Sequence, residues 1–255
     1  MNSTASEEAL PSTIDGLIDF AAALLRRNWL LFVALSVFVF LAEAAPWYFD
    51  RAAKTDSELD QRSLIISFCE FFAQSLPIAA VAVAATARAA NRDADWRVTL
   101  GIAVDRWLPV IGATIIVQFL ALFVAAPLLA VSDIGLFALV LAPIVCVAWG
   151  IIGFTGPLAA MSADGAGVAI LTATFRAIRL GLSPRNIGRT AYVGVLSIAP
   201  SLLAFVIVTA RHASENGLFY GELSAALDAL TTVPLAALAS AVVLDFIRRS
   251  EAAQK

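Results

Sequence analysis

The sequence predicts an all-α integral membrane protein: six transmembrane helices with cytoplasmic interfacial amphipathic helices, arranged as three parallel two-span repeats. Three observations carry this reading: the composition, six apolar segments of bilayer length, and a one-sided distribution of arginine. Hydrophobic residues make up 60% of the 255-residue chain and charged residues 15%. Soluble domains run at about 45–50% apolar and about 25% charged, so water is the wrong solvent for this chain.

A spanning helix needs about 20 mostly apolar residues because the hydrocarbon core is about 30 Å thick. Six segments meet that length, at roughly 28–49, 63–87, 107–131, 134–160, 190–210 and 223–247. The third, fourth and fifth carry no formal charge, whereas the first, second and sixth contain Glu43, Glu70 and Asp228. Ala42-Glu43-Ala44 resembles a signal-peptide cleavage site. The region before it is long and holds Glu7, Glu8, Asp15 and Asp19, unlike a short basic leader, so a retained anchor is expected.

Orientation follows from the positive-inside rule. With the N-terminus inside, thirteen cations fall in inner segments, and only Arg51, Lys54, Arg62 and Arg211 fall in outer ones. Both termini are therefore expected in the cytoplasm. Trp29 and Trp107 at inner helix ends, and Trp47, Tyr48 and Tyr220 at outer ones, fit interfacial anchoring. Lysine occurs only at Lys54 and Lys255, every other cation is arginine, and alanine is abundant. That bias suits a GC-rich bacterial genome and makes a bacterial inner membrane the expected location. Cys69 and Cys146 lie in apolar stretches without Cys-x-x-Cys spacing, as small buried hydrophobes do.

Internal similarity divides the chain. Pro77-Ile78-Ala79-Ala80, Pro157-Leu158-Ala159-Ala160 and Pro234-Leu235-Ala236-Ala237 recur 80 and 77 residues apart, each in an even-numbered span. Arg27-Asn28-Trp29-Leu30, Arg106-Trp107-Leu108 and Arg185-Asn186-Ile187 mark the odd spans. The chain thus reads as a single membrane domain over 1–255, with repeat units at roughly 12–90, 91–165 and 166–250. A flexible tail over 1–11 and a short one over 250–255 flank them. Each unit would be an amphipathic helix followed by two spans. The first helix aligns Ile14, Leu17, Ile18, Ala21, Leu24 and Leu25, capped by Ser12 with Asp15 in its first turn. The third aligns Val168, Leu171, Phe175, Ile178 and Leu182, and the second, around 91–106, is shorter and less regular. Two spans per unit point all copies the same way, so their pseudo-symmetry axis runs along the membrane normal. Pro77, Pro143, Pro157 and Pro234 are either kinks facing the bundle interior or harmless bends.

Candidate site residues are few. Glu70 precedes Pro77 by seven residues and Asp228 precedes Pro234 by six, which places them at similar depths. A mid-membrane carboxylate costs about 2.5–3.5 kcal/mol on insertion scales. With Gln74 and Gln118 they would line a polar pathway in the outer leaflet; the plain alternative is carboxylates reaching outward to water. Asp245 with Arg248 and Arg249, three and four residues on, has the spacing of an inner-end clamp. Arg26, Arg27, Arg88, Arg92, Arg176 and Arg179 are expected to contact anionic lipid headgroups.

Two features resemble a known bacterial group. One is the Gly156-Pro157-Leu158 turn into an amphipathic segment ending in Arg176, Arg179 and Gly181. The other is a small-residue last span ending Leu244-Asp245-Phe246-Ile247-Arg248-Arg249. The chain resembles the six-span membrane domain fused to some bacterial glycerophosphodiester phosphodiesterases and its stand-alone uncharacterised relatives. Leu244 stands where that family has tyrosine, and the arginine falls three residues after Asp245. The resemblance implies no phosphodiesterase activity, which belongs to a separate barrel domain. The only histidine here is His212, in a short outer loop.

No phosphate loop, nucleophile elbow or His-Glu-x-x-His occurs, so no catalytic, metal or cofactor residue is expected. The partners expected are membrane lipids and a membrane protein, and not nucleic acid. The leading functional expectation is a non-enzymatic, lipid-contacting scaffold or accessory module of the envelope. A transporter or permease for a small or lipid-like solute is the alternative, and a membrane enzyme comes third.

Overall fold

The structure is a computed structural model. It describes residues 13–50, 56–92, 95–129, 135–210 and 217–252, and side chains over 13–45, 72–92, 95–120, 142–200, 221–252 and at 202, 203, 206 and 207. Among the described residues there are eight helices and no strand: α1 Ile14–Arg27, α2 Trp29–Asp50, α3 Asp56–Ala89, α4 Trp96–Leu129, α5 Gly135–Met161, α6 Ala166–Gly181, α7 Ile187–Ala210 and α8 Gly217–Ala252. Four stretches are long and apolar enough to cross a membrane: Phe72–Ala89, Trp96–Leu120, Ala142–Met161 and Gly221–Ala252. The pair α1 and α2, bent by 90°, makes a fifth if counted as one.

Helix ends follow local chemistry. α1 is capped by Thr13, whose hydroxyl accepts from the Gly16 N–H at 3.2 Å, and not by Ser12, which lies outside the described residues. The capping oxygen must sit immediately before the first helical residue, and that residue is Ile14. Asn28 makes the corner between α1 and α2. Its N–H and side-chain amide both donate to the Leu24 carbonyl, while its own carbonyl accepts from Phe32 N. Asn186 stands at the corresponding corner between α6 and α7, donating its amide to Leu180 O at 3.0 Å and accepting from Thr190 N. The middle amphipathic helix does not exist as a separate element, because residues 96–106 are the first turns of an unbroken α4. Asn28 ends the first amphipathic helix, and Gly181, Pro184 and Asn186 end the third. The second has only Gly101, which a helix tolerates.

The packing is ordered around α3, α5 and α8, which all touch one another. α2 packs on α3 and α8, α4 on α3 and α5, and α7 on α5 and α8. α1 lies chiefly on α8, and α6 on α5 and α4. The three Pro-x-Ala-Ala segments belong to the central helices, and all six of their alanines are buried. Small side chains let backbones approach closely, which replaces the hydrophobic drive as a source of association between apolar helices. Pro77 and Pro157 are buried with them, while Pro143 and Pro234 are exposed, so only two of the four prolines face inward.

α1 buries Leu17, Ala21 and Leu24 and leaves Ile14 and Ile18 exposed. α6 does the reverse of what large side chains do in a soluble protein. Its small face of Ala169, Ala173, Ala177 and Gly181 packs inward, and Val168, Leu171, Phe175 and Leu182 point out.

Candidate functional site

The first constellation gathers at the ends of α8, α3 and α7. Asp245 is 4% exposed. Its carboxylate is paired with Arg189 of α7 and, one turn on, with Arg249 Nε at 2.9 Å. Arg248 takes another partner, donating to the Ala89 carbonyl at the end of α3 at 3.2 Å. The expected clamp is thus made by Asp245 and Arg249, with Arg189 added and Arg248 turned to a neighbouring helix end. A guanidinium at the last carbonyls of α3 also answers that helix's negative pole.

Of the expected headgroup arginines, Arg26, Arg27, Arg92, Arg176 and Arg179 are exposed. Arg88 is half-buried, its guanidinium stacked 5.3 Å from the centre of the Phe20 ring. Trp107 is also drawn inward. Its indole N–H donates to Ser75 Oγ and to Phe72 O at 3.3 Å, and its ring meets Phe72 edge-on at 5.5 Å.

The second constellation is a cavity of about 180 Å³ walled by α3, α4, α5, α7 and α8. Three of the four residues expected along a polar pathway, Gln74, Gln118 and Asp228, line it. The fourth, Glu70, lies in α3 with its side chain outside the described residues. Five hydroxyls join them: Ser75, Thr114, Ser197, Thr231 and Thr232. Ile78, Ile111, Trp149, Ile152 and Leu235 complete most of the wall.

Glu43 of α2, in the sequence a charge within the first span and part of a cleavage-like Ala42-Glu43-Ala44, is bonded to one of the lining residues. It is 2% exposed, and its Oε1 accepts from Gln74 Nε2 at 2.9 Å. Asp228 of α8 lies next to Glu43 and Ser224. The one available signal was that Glu43 is the sole ionisable group of its apolar segment between Arg27 and Tyr48. A second signal is that Ser75, Thr155 and Thr232 each stand two residues before a repeat proline.

Among the described residues no group of three or more His, Cys, Asp or Glu side chains is placed to hold a metal ion. Compared with known proteins, the chain matches no family model, no curated protein and no solved structure.

Proposed function

We propose that this chain is a six-span carrier of the bacterial inner membrane, a transporter or permease for a small solute, with both termini cytoplasmic. The observation that carries the reading is the cavity among α3, α4, α5, α7 and α8, where Gln74, Gln118 and Asp228 converge inside otherwise apolar helices. Buried polar groups are costly between apolar helices, and such residues mark solute pathways when they gather on a cavity. A six-span count is supported by α7, which carries no formal charge between Arg189 and Arg211. A threefold repeat is supported by the mutual contact of α3, α5 and α8 and by the matching corners at Asn28 and Asn186. Membership of the phosphodiesterase-linked six-span family belongs to the same proposal and rests on the Gly156-Pro157-Leu158 and Leu244–Arg249 segments.

A lipid-contacting scaffold is the second reading. It is favoured by α6, where Arg176 and Arg179 are exposed beside the outward Leu171 and Phe175. Headgroup and acyl contacts would suit that face.

Flux separates the two. Purified protein in phospholipid vesicles is expected to pass small radiolabelled amines or amides faster than protein-free vesicles do. Thr231→Phe, which fills the cavity from α8, should return the rate to that of empty vesicles while the thermal midpoint stays within a few degrees. Flux that ignores this substitution would remove the carrier reading.

A further inference from the structure

We infer that the cavity selects a small organic cation carrying N–H donors, an ammonium or primary alkylammonium; this rests on the carrier reading. The argument is an inventory of donors and acceptors. Among the described lining residues Asp228 is the one carboxyl, and none is Lys, Arg or His.

Four of the five hydroxyls are committed in one direction. Ser75 donates to Phe72 O, Thr114 to Val110 O, Ser197 to Val193 O and Thr231 to Leu227 O, at 2.7 to 2.9 Å. A hydroxyl has one proton, so each of these can offer the cavity only lone pairs. Gln74 spends one amide N–H on Glu43 and keeps a second N–H and its carbonyl oxygen, and Gln118 brings a further amide to the wall. The lining therefore presents more acceptor atoms than donors: the Asp228 carboxyl, five hydroxyl oxygens and two amide carbonyls. An anion would meet no charged donor among the described lining residues. An ammonium group has three or four N–H donors and no acceptor, which is the complement of this wall. Trp149, also on the wall, adds an indole that attracts cations at its face. The volume suits an alkylammonium better than a bare metal ion, since about 180 Å³ is room for roughly six waters at about 30 Å³ each.

The test uses the full chain in detergent at constant ionic strength, with sodium chloride replaced stepwise by ethylammonium chloride. Matched titrations use tetramethylammonium, which has no N–H, and acetamide, which has no charge. Ethylammonium is expected to bind saturably by calorimetry and to raise the thermal midpoint, and the two controls to do neither. Asp228→Asn should weaken ethylammonium binding about tenfold, as loss of a charged acceptor does. Thr114→Val and Thr231→Val keep every charge and each should weaken it a few-fold, which holds the test if Asp228→Asn fails to fold. Equal binding of acetamide and ethylammonium would overturn the cation assignment and leave the carrier reading standing. Stabilisation by sodium that ethylammonium cannot match would overturn it in favour of a metal ion. Binding of none of the probes, with vesicle flux of all three at the empty-vesicle rate, would overturn both.

Discussion

Asp245 is held between two guanidinium groups of unequal burial, and that inequality sets what each contact is worth. The Arg189 side chain is 18% exposed and the Arg249 side chain 44%. Removing the carboxylate leaves Arg189 enclosed without its counter-ion, and breaking such a pair costs about 2–3 kcal/mol after allowance for partial exposure. Asp245→Ala is expected to lower unfolding stability by that amount in a denaturant titration of the detergent-solubilised protein. Arg249→Ala, on the wetter side, should cost about 0.5 kcal/mol or less. Equal losses for the two variants would contradict this division. The sequence named Asp245 and its helical neighbours because spacing of three and four is a local property. Arg189 is 56 residues away, and no local pattern links the two.

Helix α7 shows how a single missing methyl positions an element. A Cβ added at Gly194 would overlap the Cys146 carbonyl of α5, and one at Gly150 would overlap the Thr190 carbonyl of α7. The two backbones thus touch at two points, each a glycine facing the other helix's peptide. Gly194→Val is expected to push the helices apart and lose about 3 kcal/mol, at the upper range for overpacking. Gly188 on the same helix has open space around its Cβ position, so Gly188→Ala should be neutral or gain about 0.5–1 kcal/mol from helix propensity. Thermal unfolding of the two variants side by side would check the pair. Glycines in an apolar segment were visible in the sequence, but their partner helix was not. The helices themselves were legible, since six of the eight overlap the six apolar segments and the other two are the first and third amphipathic stretches. The boundaries ran longer than expected at α3, α4 and α8. Helical hydrogen bonding does not stop where apolar composition does.

At the scale of the whole molecule, the contacts of Arg88 with Phe20 and of Arg248 with Ala89 draw basic residues of α3 and α8 to one end of the bundle, beside α1. If that end is cytoplasmic, a cysteine placed at Arg88 or Arg179 should react with an impermeant maleimide only after cells are opened. Labelling of either site in intact cells would reverse the proposed orientation. The same scale explains the cavity. Helices α3, α5 and α8 meet through alanines at the Pro-x-Ala-Ala segments, and beside that tight contact the walls separate around Gln74, Thr114 and Asp228.

Solvent preference was decided by composition, because it is a sum over local sequence. The meeting of Glu43 with Gln74 and Asp228, and of Arg189 with Asp245, was decided only by tertiary packing. A side chain's partner across a helix interface depends on crossing angle and rotation about the helix axis. Those are settled by every small residue in the contact at once, and no stretch of sequence contains them.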